Sequence, residues 1–553
     1  MNINRRVLLI ASFLTLVAAG AGFVTRAASG AAWATDFNIS GATFGMIMGA
    51  GFLGFGIFIF LGGMLVELFG YKKLILLAVV LHIVSAIMLL MAPSLHAGWL
   101  EADGAAEATS KVTAMLYWSV FLFAVCNGLY EAVINPLIGQ LYPENQTHYL
   151  NILHAGWPGG LIIGGILAAC FQNTTAWIVE LPWQYSLTTY SLVLIVLLLM
   201  VIKESFPDTV SQGGKVSFLT LFSCFASIPF LVLIVLHALI GYMELGVDSW
   251  QTRLMENLVE NSVTILIYTS FLMFALRFFA GPIAHKINPI GLLFVSSLLA
   301  VGGLVWLGSE ITSVFTIFAA ATLYAFGKAF LWPTMLAVAG ERYPKSGAVA
   351  MSALGASGML CVGFIGAELI GVQQSIATTT YLEENNKAVY EEYKEAKTNS
   401  FPSWGENLGF SLFEFEQLSA AKQQETMENK SDPNNKAITT AFDYGSRTAL
   451  KKTAKIPTAM AIGFLALLLY FKSIGGYKVL RLEEDDKAAS ADDGEAASAD
   501  DGEAASADDK AASADDEAAS ADDGEAASAD DGEAAEDPHS AYDDDGGEGD
   551  ETG

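Results

Sequence analysis

"YEAVINPLIGQLYPEN", residues 130–145, closes an apolar run that begins at Ala114, and it sets Glu131 inside that run. A charge at the centre of a bilayer costs roughly 2.5–3.5 kcal/mol on insertion scales, so this carboxylate needs a partner, a proton or a task. Asn127, Glu131 and Asn135 recur every four residues and share one helix face. That face has to turn away from lipid, toward other helices or a water-lined space.

The rest of the chain fits a membrane setting. Its 553 residues are 53% hydrophobic and only 16% charged, with a mean hydropathy of +0.44, too apolar for soluble domains of that length. The net charge of −29 is not a property of the body. Residues 483–553 carry 29 Asp and Glu against two Lys, which leaves −2 for residues 1–482. Cys126, Cys170, Cys224 and Cys361 show no paired spacing, so they read as small core residues and not as a disulfide or zinc framework.

Apolar runs near 20 residues fall at 7–28, 42–66, 73–93, 112–137, 150–172 and 185–203, then at 224–247, 262–284, 288–308, 312–336, 347–371 and 456–473. They are numbered here as spans 1 to 12. The first also resembles a signal peptide, with Arg5 and Arg6 ahead of it, but its length exceeds a usual signal core and an even count requires it. The linker 204–223, with Pro207, Gly213 and Gly214, separates two sets of six. Arg5–Arg6, Lys72–Lys73, Lys203, His285–Lys286, Arg342, Lys345, Lys472, Lys478 and Arg481 fall on one side, which places both termini in the cytoplasm.

An internal repeat supports the division. "YPENQTHYLNILHAGWPGGLIIGG" (142–165) aligns with "YPKSGAVAMSALGASGMLCVGFIG" (343–366) at a constant offset of 201, matching Tyr-Pro, Leu153 with Leu354, Ala155 with Ala356 and Gly165 with Gly366. Two segments stand outside the membrane. Residues 372–455 are expected to form a long outward loop, with "LGFSLFEFEQLSAAKQQ" as an amphipathic helix inside it. The tail repeats "AASADDGE", a composition that cannot bury a core and should stay disordered.

After span 2 the chain reads "GGMLVELFGYKK", with Gly63, Glu67, Gly70, Lys72 and Lys73. This resembles the signature loop of the major facilitator superfamily, Gly-x-x-x-Asp-x-x-Gly-x-Arg/Lys-Arg/Lys, with Glu67 in place of the usual Asp. Its second-half counterpart, "RFFAGPIAHKINP" from Arg277, is degraded. "EAVINP", "LYPE" and "YLNILHAGWPGG" resemble the fucose/proton symporter branch of that superfamily, as do Glu244 followed six residues later by Trp250, and "GKAFLWPT" with Trp332. The resemblance implies that Glu131 takes part in proton coupling and that the loop at Gly63–Lys73 serves the conformational change. A carboxyl in a low dielectric also favours its protonated form, which suits proton loading and release.

Three positions depart from that branch. Arg26 stands at or beside the place of an acidic residue in span 1. Near Glu131 it would favour the ionised carboxylate; it would alternatively bind an anionic substrate group, or snorkel to the interface. His154 and Trp157 replace amides, which weakens fucose itself as the substrate, and Asn151 shares the face of His154. In span 7, His237, Gly241, Glu244 and Asp248 form a stripe, with Glu244 the second candidate for proton coupling. Span 10 offers Tyr324, Lys328 and Trp332, Lys328 being expected to bind substrate or to pair with a carboxylate such as Glu131 or Glu244.

No phosphate-binding loop or metal-ligand spacing occurs, so neither ATP nor a cofactor or metal is expected. The sequence points to an all-α membrane protein of twelve transmembrane helices: residues 1–203 form one six-helix half and 224–473 the other, and a disordered acidic tail spans 474–553. The expectation is a monomeric carrier in the inner cell membrane, not an enzyme. It would move a small polar solute, by resemblance a monosaccharide, with protons as coupling ion and no nucleic-acid partner. An anion carrier using Arg26 and Lys328, or a receptor on a transporter fold, are the alternatives.

Overall fold

In the computed structural model the described residues are 3–39, 41–171, 178–188, 190–250, 263–311, 313–399 and 414–481. Every expected span is largely helical over its described residues. Among the described residues ten helices are long and apolar enough to cross a membrane: Arg5–Ala28, Met46–Phe69, Tyr71–Asp103, Ala105–Leu141, Pro143–Phe171, Ile228–Trp250, Pro289–Leu307, Val314–Arg342, Pro344–Asn385 and Asn435–Ser473. Span 8 is a bent pair, Thr264–Arg277 and Ala280–Ile287, turned by 64°, and span 6 contributes the shorter Ser191–Lys203. The set is compatible with twelve crossings. The face where Arg5, Leu141, Lys203, Arg342 and Ser473 end their helices is called the terminal face, and the opposite one the cap face.

The repeat is visible in the backbone. Tyr142 and Tyr343 both have φ of −129°, with ψ of 56° and 55°, and each opens a short 3-10 turn, Pro143–Asn145 and Pro344–Ser346. Gly139 and Gly340 occupy matching places, and both lie against Met351 and Gln146. The two halves thus cross at a pseudo-symmetric point near the terminal face.

Small residues let the helices approach. Spans 1 and 5 meet through Gly20, Gly156, Gly160 and Gly164, and a Cβ on Gly160 would collide with the Val17 carbonyl oxygen. Such close backbone approach is how helices associate where lipid tails remove any hydrophobic drive between them. Gly63 lies against Ser352 and Gly56 against Leu360, so span 2 of the first half runs along span 11 of the second.

The expected outward loop is largely ordered. Span 11 continues as a helix to Asn385, and span 12 is preceded by the helix Asn435–Thr453, which packs against that extension. Leu382, Val389, Tyr390, Tyr393, Leu418, Ile438 and Ala441 form a small core of their own. Glu416 accepts the Tyr390 hydroxyl at 2.6 Å, and that bond pushes the phenol up to about 12. Of the expected amphipathic helix, residues 408–413 lie outside the described residues. Glu414–Phe415 pairs as a strand with Thr398–Asn399, and a helix begins only at Ala420. The β-favouring aromatics precede the helix-favouring Ala-Ala-Lys-Gln-Gln, which divides the stretch in two. The tail of residues 482–553 also lies outside the described residues.

Gly160→Val should lower the melting temperature measured by fluorescence-detected size exclusion, by an amount corresponding to overpacking of about 1–3 kcal/mol. Unchanged melting would show that spans 1 and 5 do not meet this closely.

Candidate functional site

Glu131 is buried, and its Oε2 accepts the Asn135 amide Nδ2 at 3.3 Å. Asn135 Oδ1 lies 2.9 Å from His154 Nε2, so the histidine carries its proton on Nε2 and donates. The backbone carbonyl of His154 accepts Arg277 Nη1, and Arg277 Nη2 donates to Glu244 Oε1 at 3.1 Å. A chain of polar contacts therefore runs from the acid of span 4 to the acid of span 7. Trp332 stands beside Glu131, and His237 stacks on Trp332 with ring centroids 4.5 Å apart.

In the sequence Arg277 opens the degraded counterpart of the signature loop. It is instead fully buried, because span 8 breaks immediately after it. The local reason lies in two prolines. The carbonyls of His154 and Ala329 would ordinarily accept the N–H four residues on, but those residues are Pro158 and Pro333, which have none. Arg277 supplies both missing donors, Nη1 to His154 and Nε to Ala329 at 2.7 Å. An arginine inside the apolar run 262–284 was the available signal for it.

The stripe of span 7 divides. Tyr242–Gly246 forms a π-helical turn, whose extra residue shifts the register within the stripe. Glu244 faces Arg277, whereas Asp248 pairs with Lys328. Of the roles open to Lys328, binding substrate or pairing with a carboxylate such as Glu131 or Glu244, a carboxylate pair is present, and its partner is Asp248, one turn beyond Glu244. Its ammonium also lies 5.3 Å from the Tyr324 ring, and the Tyr324 hydroxyl donates to the Met243 carbonyl at 3.0 Å. Gly241 abuts the Gly358 backbone and is a packing position.

Arg26 is not brought to Glu131 either. It is buried inside the first half, donating to Gly22 O at 2.9 Å, Ser85 Oγ at 3.1 Å and Tyr190 OH at 2.9 Å, with its guanidinium 3.7 Å from the Phe123 ring centroid. Nor does it snorkel: spans 3, 4 and 6 enclose it. Trp157 packs on Phe23, and Trp250 on Gly371. Asn151 donates to Thr147 O at 2.8 Å and to Thr334 Oγ1 at 3.1 Å, across the two halves. Several buried atoms of the centre have no hydrogen-bond partner: Asn127 Oδ1, Asn151 Oδ1, Glu244 Oε2 and both ring nitrogens of His237.

The terminal face is closed. Glu67 Oε1 accepts the Ala348 N–H at 3.0 Å at the start of span 11, and Oε2 accepts the Ser211 N–H of the linker at 3.1 Å. A carboxylate at a helix N-terminus meets both orphan donors and the positive end of the dipole. Gly70, with φ of +86°, turns the chain into span 3, and Lys72 Nζ donates to the carbonyls of Ile202 and Glu204. Lys73 is exposed.

Residues 10–367 match the family model of the Major Facilitator Superfamily. No curated protein matches. Among solved structures, the proton:xylose symporter XylE superposes with a TM-score of 0.55 at 12% identity, covering 70% of this chain and 92% of that one. The transporter FucP in its outward conformation gives 0.52 at 17%, covering 66% and 91%. A bacterial homologue of the human lysosomal transporter Spinster gives 0.54 at 15%, covering 84% and 96%. At these identities the likeness concerns the fold alone.

Removing Arg277 leaves Glu244 buried without its partner and frees two carbonyls. Arg277→Gln is expected to cost about 3–5 kcal/mol of stability, seen as a lowered melting temperature, and the double variant with Glu244→Gln should recover part of it. Melting of the single variant at the parental temperature would refute the pairing.

Proposed function

Because the chain belongs to the major facilitator superfamily, we propose that it is a secondary active carrier of a small, neutral, hydroxyl-rich solute, a monosaccharide by class, moved together with protons by alternating access. The observation that carries this reading is the state of the central charges. Arg277 is matched by Glu244 and Lys328 by Asp248, while Glu131 forms no ion pair and hydrogen-bonds the Asn135 amide and the Trp332 indole, with Arg277 and Glu244 acting on it at longer range. The two cations of the second half are thus occupied, and the unpartnered atoms around them and Glu131 are carbonyl and carboxylate oxygens and a histidine ring, while Arg26, with an unpartnered Nε, stands apart inside the first half. Such atoms suit hydroxyl groups, which both donate and accept. Trp332 adds an apolar face of the kind that packs on a sugar ring.

Glu131 is the proton carrier in this scheme. Ionised, it accepts from Asn135; protonated, it becomes a donor, and the connection through Asn135 to His154 and Arg277 is altered at its first bond. Release of the proton on the other side restores the starting arrangement. Glu244, held by Arg277, sets the geometry of the second half, and Asn127, Asn151 and His154 complete the binding wall. Opening of the terminal face requires Glu67 to leave Ala348 and Asn151 to leave Thr334. Both termini are assigned to the cytoplasm of a cell membrane, and the protein is assigned as a monomer.

The anionic alternative is disfavoured by the same pairs, since an anion would have to displace Glu244 or Asp248. A receptor reading would require binding without flux. Reconstituted in proteoliposomes, the protein should show counterflow of a neutral sugar that stabilises it in a thermal-shift screen. Glu131→Gln should keep counterflow and lose accumulation driven by a pH gradient; uphill uptake at the parental level in that variant would refute the coupling role. Arg26→Gln should reduce transport of neutral and anionic solutes alike, through loss of the first half's packing, and a loss confined to anions would restore Arg26 to the binding site.

A further inference from the structure

A half-open cavity of 260 Å³ lies on the terminal face of the second half, where spans 7, 10, 11 and 12 end. Arg342 and Lys345 line it with Ser223, Ser227, Ser346 and Leu480, and among the described residues its wall contains no carboxylate. The helices Ile228–Gly241 and Gly347–Cys361 begin at its wall, behind Ser227 and Ser346. Two cations, serine hydroxyls and the N-terminus of Ile228–Gly241 make a surface for an anion, the N-terminus of Gly347–Cys361 being already met by Glu67.

The chain leaving span 12 is strapped along this cavity. It turns at Gly475 and Gly476, with φ of +92° and +96°. The Tyr477 hydroxyl then donates to Glu341 Oε2 at 2.6 Å, and the Leu480 N–H donates to the Glu341 carbonyl at 2.8 Å. Arg342 Nη1 donates to the Lys478 carbonyl at 2.6 Å. Glu341 is itself tied across the halves, its Oε1 accepting the Thr147 hydroxyl at 2.9 Å. Arg481 pairs with Glu144 of the first half at 2.6 Å. Leu480, which lines the cavity, is three residues from Glu483, the first of the acidic run Glu483-Glu484-Asp485-Asp486. Three residues span at most about 10 Å.

We propose that this cavity is the docking site of the chain's own acidic run, Glu483–Asp486, whose carboxylates meet Arg342 and Lys345. The strap fixes where the run begins, and charge complementarity fixes what it meets. An anionic lipid headgroup offers the same chemistry and is the competing occupant.

Zero-length carbodiimide coupling of the full-length protein at low ionic strength, read by peptide mass spectrometry, tests this. It should join the Lys345 amine to a carboxyl of residues 483–486, and the yield should fall several-fold at high salt. No product at Lys345, or equal coupling of the run to Lys72, Lys73, Lys203 and Lys286, would overturn the proposal. So would a Lys345 product that persists through the remaining tail acids in a variant carrying E483Q, E484Q, D485N and D486N. In nanodiscs the Lys345 product should be the same in phosphatidylcholine and phosphatidylglycerol; its loss in phosphatidylglycerol would assign the cavity to lipid. None of these readouts depends on flux, so they stand or fall apart from the carrier reading.

Discussion

One guanidinium answers three separate needs in the middle of this bundle. Prolines in spans 5 and 10 strip the His154 and Ala329 carbonyls of their helical donors, and Glu244 brings a carboxylate into the same apolar interior. None of these groups can be left alone where water is scarce. Arginine presents five N–H groups in a planar fork, enough to serve all three at once, whereas an ammonium is a single point with three donors. Because the carbonyl of span 5 belongs to the first half and Glu244 to the second, the side chain that satisfies them also joins the halves.

The other ties between the halves follow the same logic at lower cost. Glu67 finds an unpaired N–H at the start of span 11, Thr147 and Tyr477 share the two oxygens of Glu341, and Asn151 meets Thr334. Each joins groups that would remain usable in water once the halves separate, which suits contacts that must break and re-form. The Arg26 cluster differs: its hydroxyl and aromatic neighbours all come from the first half. That makes it a rigid element of one half and not a hinge between two.

The twelve apolar runs and the offset of 201 were legible because lipid imposes length and composition on every crossing, and the matching Tyr142 and Tyr343 turns follow from the repeat. Glu131, Asn135 and His154 were also legible, as polar residues sharing faces of apolar helices. What the sequence hid was pairing. Arg277 sits beside a Phe-Phe-Ala-Gly-Pro stretch that resembles a loop, and only the 64° bend of span 8 shows it to be interior. Lys328 reads from the sequence as a cation for substrate or for a carboxylate, but helical periodicity does not reveal the π turn of span 7 beyond which Asp248 is that carboxylate. The segment 372–455 reads as a loop on its polarity, although a polar exterior is also what two water-exposed helices joined by a small core require.

Those two helical extensions give the second half a stalk. The stretch Asn435–Thr453 has 19 residues, about 28 Å at 1.5 Å per residue, and it is braced against the end of span 11. Rocking of that half by about 10° would therefore sweep the stalk's tip through about 5 Å. A displacement too slight to see between the packed spans becomes measurable outside the membrane, so a probe or antibody fragment fixed to the stalk would report the transport cycle without touching the residues that perform it.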